Sequence, residues 1–341
     1  MEDRIRRLPK AELHVHLDGS LRPETLIELG REYDRPVPSD DPVELAQRMR
    51  ADDASNLPEY LRRFETTLSV LQQADALERT AWELALDQWA DGVRYVEVRY
   101  SPILHTREGL PLTETVEAPL RGLRRAERET GIRTGLIICG IRNMDPGTSR
   151  DLADLTVAYK GRGVVAFDLA GAEYNYPAKK HRDAFFTVIN RNMPTTIHAG
   201  EAYGPESIHQ ALHYCRANRI GHGTRLHEDP DLEAYVRNLR VPMEICLTSN
   251  VQTGTVADYA NHPVRRYFDL DIVVTLCTDN VLISGTTLTR EYLLAREHLG
   301  FTWDELVRVA RMGFESAFLP WDEKKEMLET FDREAAALGE G

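Results

Sequence analysis

The chain has 341 residues, of which 42% are hydrophobic and 28% charged, and its formal net charge is −13. This composition excludes a disordered, collagenous or coiled-coil protein, and the acidity argues against a protein that coats nucleic acid, which needs basic surface for the phosphates. The length accommodates two ordinary domains, or one α/β barrel of about 250 residues with insertions.

Residues 1–7 have no apolar stretch behind them, so no signal peptide is expected. No run of about 18 apolar residues occurs, so no membrane span is expected either. Cys139, Cys215, Cys246 and Cys277 form no C-x-x-C pair, and three of them lie in apolar, strand-like runs. They read as reduced core residues of a cytoplasmic protein rather than as a disulfide or zinc-thiolate framework.

Short apolar runs bounded by turn residues recur along the chain. They cover residues 11–17 (AELHVHL), 94–100, 134–141, 164–170, 195–198, 219–222, 242–247 and 272–277. Continuous Val/Ile/Leu runs of this kind suit strands covered on both faces, as in a parallel sheet wrapped by helices. Between the runs lie helical patterns. Residues 75–91 repeat apolar side chains at Leu77, Ala81, Leu84, Ala85 and Trp89. Residues 302–319 do so at Leu306, Val309, Ala310, Phe314 and Ala317, with Thr302 or Asp304 as the cap. Eight alternations predict a TIM-type (β/α)₈ barrel, with 1–341 as one domain. A doubly wound open sheet is disfavoured, because no G-x-G-x-x-G follows the first strand.

One connection is too long for a loop. Residues 20–92, between the first two strands, predict a helical insertion or lid. Within it Leu57, Tyr60, Leu61 and Phe64 fall at i, i+3, i+4 and i+7, which is one helical face. The pattern alone fits a packing face on the barrel as well as an apolar wall over an active site.

Barrel enzymes place their chemistry at the C-terminal ends of the strands. Strand one ends His14-Val15-His16-Leu17-Asp18, with both histidines on the same side of the strand. Strand five ends His198-Ala199-Gly200-Glu201, strand six Gly221-His222-Gly223, and strand eight Thr278-Asp279-Asn280. Each segment alone is weak. Together they bring imidazoles and a carboxylate, without thiolate, to one barrel mouth, and that ligand set suits Zn²⁺ or another borderline divalent ion. His14, His16, His198 and Asp279 are the expected ligands, with one position left for water. His222 is placed to take the water's proton and Glu201 to give one to the substrate. His209 and His213, at i and i+4 without an H-E-x-x-H, read as surface residues of a helix. His105, His181, His227, His262 and His298 have no partner pattern.

These residues resemble the adenosine deaminase branch of the metal-dependent amidohydrolase superfamily. The matching segments run in order from ELHVHLDGSLRPET through VRYVEVRYSP, VVAFDLAGAE, IHAGEAYG, RIGHGT, EICLTSN and VTLCTDN to FESAFLP, and cover nearly all of the chain. The resemblance implies hydrolytic deamination of a 6-aminopurine with one zinc ion per subunit. It implies His14, His16, His198 and Asp279 as ligands, and Glu201 as the proton donor to purine N1. His222 orients and deprotonates the water, and Asp279 also contacts the nucleophile. It further implies the Gly171 N–H at N3, and Asp18 and His16 near the ribose 5′-hydroxyl. Leu57, Tyr60, Leu61 and Phe64 become an apolar gate, and Asp168 and Ser249 supporting positions.

One departure concerns strand eight, where many members carry two adjacent aspartates and this chain has Asn280 second. A neutral amide donates directly to purine N7, whereas a carboxylate must first be protonated. The recognition role survives, and the change reads as a subgroup mark. A binuclear amidohydrolase is disfavoured, because Lys160, Lys179 and Lys180 lie off the fourth strand and offer no bridging group. The cytosine-type zinc deaminases need P-C-x-x-C, which is absent. A barrel that binds without catalysis would lack ligands or the acid, and all are present. Adenosine or 2′-deoxyadenosine is the leading substrate, with adenine and 6-aminodeoxyfutalosine as alternatives. AMP is disfavoured, because its phosphate would be repelled by Asp18. The expected partner is thus a small purine nucleoside, with no nucleic acid and no membrane. No signature of oligomeric state is present.

Overall fold

The computed structural model describes residues 1–339. Its strands are β1 (Lys10–His16), β2 (Val93–Tyr100), β3 (Arg133–Ile141), β4 (Val164–Ala170), β5 (Thr196–Ala199), β6 (Arg219–His222), β7 (Met243–Ile245) and β8 (Val274–Leu276). All eight expected strands are present, each within three residues of its expected ends. They pair in parallel as β1-β2-β3-β4 and β5-β6-β7-β8. Two single bridges join the halves into a barrel, Phe167 to Thr195 and Val15 to Asp279. At the second seam His16 N–H donates to Asp279 O at 2.7 Å and Asp279 N–H to His14 O at 2.8 Å. The bonds that close the barrel are therefore made by the main chain of three expected metal ligands.

The strands differ from the expected apolar runs in one respect. Side chains alternate across a strand, and on β2 Val96 and Val98 alternate with Glu97 and Arg99, all fully buried. Glu12 and His14 share a face of β1 in the same way. Glu97, Arg99, Asp168, Arg219 and Glu244 meet as a web of ion pairs with side chains no more than 1% exposed. The part of the barrel beneath its mouth is thus filled by charge and not by branched aliphatic side chains.

The helix expected at 75–91 spans Ala74–Ala90, and the one expected at 302–319 spans Trp303–Ser316. Thr302 is the cap, in a reciprocal capping box with Glu305. The first and last helices of the described residues were among those that went unread in the sequence. Glu2–Arg7 is only six residues long. Trp321–Gly339 buries only Phe331 and Ala335, a stripe too narrow to stand out, and Phe331 packs against Phe314. The insertion after β1 holds the short helices Pro23–Glu32, Pro42–Met49, Leu57–Leu61 and Phe64–Val70. The expected helical face over 57–64 is split. The N–H groups of Arg62, Arg63 and Glu65 bond three residues back instead of four, which tightens the chain into a turn between two helices. Ala74–Ala90, the last part of the expected insertion, is the crossover helix leading into β2.

Ala74–Ala90 packs closely on the helix Leu112–Thr130, where Gly122 meets the main chain of Glu78. A Cβ on Gly122 would sit 2.1 Å from Glu78 O. Helix propensity alone favours alanine over glycine by about 1 kcal/mol, but backbone cannot move aside as a flexible side chain can. Gly122→Ala is expected to destabilise the fold by about 1–3 kcal/mol, read as a lower midpoint in urea unfolding; an unchanged or higher midpoint would contradict this packing.

Candidate active site

The C-terminal ends of the strands gather the expected residues into one cavity. His16, Asp18, Leu57, Tyr60, Leu61, Phe64, Gly171, His198, Glu201, His222, Asp279 and Asn280 all line it. His14 lies just behind, fully buried. His209 and His213 are exposed on a helix, away from it. The four cysteines are buried and unbridged.

At the floor, imidazoles converge. His14 Nε2 is 3.0 Å from His198 Nε2, and His16 Nε2 is 3.1 Å from the same atom. Asp279 Oδ1 lies 3.5 Å from His14 Nε2 and 3.4 Å from His16 Nε2. His222 also offers a nitrogen, and His14, His198, His222 and Asp279 have ligand atoms within 4.8 Å of one another. The backs of two rings decide what their fronts present. His14 Nδ1 faces Glu244 Oε2 at 2.9 Å, and His198 Nδ1 faces Asp168 Oδ2 at 3.0 Å. A carboxylate only accepts, so each ring donates from Nδ1 and, when neutral, turns a lone pair outward at Nε2. Two lone pairs 3.0 Å apart repel unless a proton or a metal cation lies between them. The donor set therefore fits a divalent metal ion. Ser249 Oγ donates to the remaining Asp279 oxygen at 2.6 Å, which orients the carboxylate.

Above this floor sits Glu201. Burial pushes its carboxyl well above the usual carboxylate range, and the negative charges of Asp279 and Glu173 add to the effect. Its loop is held by Glu173, a residue that went unread in the sequence. The Glu173 carboxylate accepts the main-chain N–H groups of Gly200 (2.7 Å), Glu201 (3.0 Å), Ala202 and Tyr203 (3.0 Å). His222 Nε2 is 3.7 Å from Glu201 Oε2. His222 and Asp279 both have left-handed backbones, φ +62° and +61°. That conformation is uncommon outside glycine and concentrates at functional sites.

The walls are mixed. Leu57, Leu61, Phe64, Leu68, Leu104 and Met144 make one side apolar. Gly171 closes β4 at φ +95°, where a Cβ would sit 2.7 Å from Asn143 Oδ1. Asn280 Nδ2 donates to the Tyr60 hydroxyl at 2.9 Å, which in turn meets Ser284 Oγ at 2.7 Å. Asp18 is buried and pushed up to about 7, chiefly by desolvation. Its Oδ2 lies 3.8 Å from His105 Nε2, and neither that nitrogen nor Asp18 Oδ1 has a partner. His105, given no role from sequence, thus lies beside the site, and His262 reaches it through Asn250, which lies between it and His222. His262 gave no local signal, since only the fold brings it there.

Residues 9–334 match the family described as adenosine deaminase. The chain belongs to the adenosine deaminase family. It is 42% identical to an adenosine deaminase of Mycobacteroides abscessus, over 95% of this chain and 94% of that protein. It is also 42% identical to a probable adenosine deaminase of Dictyostelium discoideum, over 93% of this chain but only 41% of that longer protein. Among solved structures, an adenine deaminase from Arthrobacter aurescens superposes with a TM-score of 0.88 at 25% identity, covering 98% of this chain and 99% of that one.

If Ser249 orients Asp279 for a metal, Ser249→Ala should leave the fold intact and weaken the metal affinity about 10-fold. Competition with a chromogenic chelator measures this, and an unchanged affinity would remove Ser249 from the site.

Proposed function

We propose that this protein hydrolyses adenosine and 2′-deoxyadenosine to inosine and 2′-deoxyinosine, releasing ammonia, with one zinc ion per subunit. The observation that carries this reading is the pairing of two features. Lone pairs from His14 and His198 converge with His16 and Asp279 on one point, and the raised carboxyl of Glu201 stands above it. A divalent ion held by His14, His16, His198 and Asp279 supplies an activated water near neutral pH.

The chain's own residues do the rest. Glu201, kept protonated by burial, gives its proton to purine N1, which makes C6 electrophilic. His222 orients the attacking water, and Asp279 faces the same point. The Gly171 N–H meets N3. Asn280 has two amide N–H groups, and with one given to Tyr60 the other serves N7. Asp18 and His16 meet the ribose 5′-hydroxyl. Leu57, Tyr60, Leu61 and Phe64 cover the ring and exclude water, which strengthens every polar contact beneath them.

The pocket also favours a nucleoside over a nucleotide. No lysine or arginine is among the described residues lining it, and Asp18, which the family resemblance puts near the ribose 5′-hydroxyl, offers a phosphate no positive partner. Identity of 42% to an adenosine deaminase, against 25% to a solved adenine deaminase, supports adenosine over the free base. Among the described residues no helix is long and apolar enough to cross a membrane. Four buried, unbridged cysteines fit a reducing compartment such as the cytoplasm.

Ammonia release across adenosine, 2′-deoxyadenosine, adenine, AMP and 6-aminodeoxyfutalosine tests the substrate. The two nucleosides are expected to give the highest kcat/KM, and a higher value for any other member would overturn the assignment. Glu201→Gln is expected to keep its metal and lose about 10²–10⁴-fold in kcat. A kcat near that of the parent enzyme would remove Glu201 as proton donor.

A further inference from the structure

The hydrogen bonds behind His222 decide which of its nitrogens carries the proton. They run outward from the pocket through Asn250 to His262 and end on a main-chain N–H. That end is unambiguous, because a backbone N–H only donates. Val264 N–H donates to His262 Nδ1 at 3.1 Å. His262 Nδ1 therefore presents a lone pair, and the ring's proton is at Nε2. The ring is neutral, since burial pushes its pKa down to about 3.

His262 Nε2–H then donates to Asn250 Oδ1 at 3.2 Å. The Thr224 hydroxyl donates to the same oxygen at 3.1 Å. A flipped amide would set its own N–H groups against His262 Nε2–H, so the orientation of Asn250 is settled by its neighbours. Its Nδ2 faces His222 Nδ1 at 3.0 Å. An amide nitrogen only donates, so His222 Nδ1 must accept.

We infer that His262 and Asn250 are positioning residues that hold neutral His222 as its Nε2–H tautomer, a hydrogen-bond donor facing the pocket. Two consequences follow. A nitrogen that carries hydrogen has no lone pair for a metal, so of the five converging groups His222 drops out. A neutral His222 in this form orients water, or an oxygen that gains charge, by donating to it. It has no free nitrogen on the pocket side with which to take the water's proton. This narrows the role that the family resemblance implies.

The tautomer itself does not depend on the substrate, whereas its kinetic consequence rests on the proposed deaminase reading. The test uses the zinc-loaded full-length protein labelled with ¹⁵N-histidine. Long-range ¹H–¹⁵N correlation spectra report the protonation of each ring nitrogen, with His222 assigned by its loss in His222→Gln. The expected pattern is an unprotonated, pyridine-like Nδ1 and a protonated, pyrrole-like Nε2. The reverse pattern in the parent protein overturns the inference without any variant. Asn250→Asp replaces the donor by a group that only accepts. It is expected to draw a proton onto Nδ1, and to lower kcat about 100-fold while KM stays within about threefold. A His222 spectrum in Asn250→Asp identical to that of the parent overturns the relay. If the parent shows the inferred tautomer but turns over neither nucleoside, the proposed function fails and this inference stands. Turnover with the reverse tautomer overturns this inference alone.

Discussion

The carboxylate of Glu244 binds the barrel and its site to each other. From β7 its Oε1 meets Arg219 Nε of β6 at 2.6 Å and Thr196 Oγ1 of β5 at 2.9 Å. Its Oε2 meets Arg99 of β2 and His14 of β1, both at 2.9 Å. Arg99 continues to Asp168 of β4, which holds His198. One side chain thus ties six strands of the ring together, its own, four directly and β4 through one guanidinium. Removing one partner from such a buried web costs about 3–5 kcal/mol, whereas an apolar replacement of the whole web is often neutral. Such a web adds little net stability over an apolar replacement, so its contribution is what it specifies. It specifies two imidazoles with Nδ1 committed to carboxylates and Nε2 free.

Charge balance points the same way. Around the floor Glu97, Asp168, Glu244 and Asp279 stand against Arg99 and Arg219, while the third buried guanidinium, Arg142, faces Glu173. Four carboxylates against two guanidiniums leave two negative charges in excess at the floor, where Asp279 faces the cavity. A buried excess of that size is costly unless it is paired or coordinates a metal. A divalent cation is the matching charge. Glu201 adds nothing to the excess so long as its carboxyl stays protonated, and its burial and the nearby charges of Asp279 and Glu173 favour that form.

Much of this was legible in the sequence, and the reasons differ from element to element. The eight strands stood out because parallel strands are short, apolar and punctuated. His14, His16, His198, Glu201, His222 and Asp279 stood out because barrel geometry converts a position at the end of a strand into a position in the site. Arg99, Glu97 and Glu244 did not. A charged residue alternating with valine reads as the wet face of a strand, and only closure of the barrel reveals that both faces are dry. Glu173 and His262 were hidden for another reason. Each acts through the main chain or an amide of a distant segment, and no spacing in the sequence records that contact. The four side chains read as one face over residues 57–64 all line the cavity, but the break at Arg62 and Arg63 depends on packing that periodicity does not carry.

The site also shows why counting histidines does not yield a mechanism. His14, His198 and His222 lie within one ring's width of each other, with centroids 4.5–5.3 Å apart. What separates their chemistry is the group behind each ring. Backed by a carboxylate, neutral His14 and His198 turn a lone pair forward, the form a metal ligand needs. Backed by the amide N–H of Asn250, His222 turns a proton forward and becomes a donor. One residue type thus presents opposite hydrogen-bonding faces to one cavity, and the difference is made a layer away, in the groups behind the rings. Exchanging those backing groups would exchange the roles without altering a single histidine.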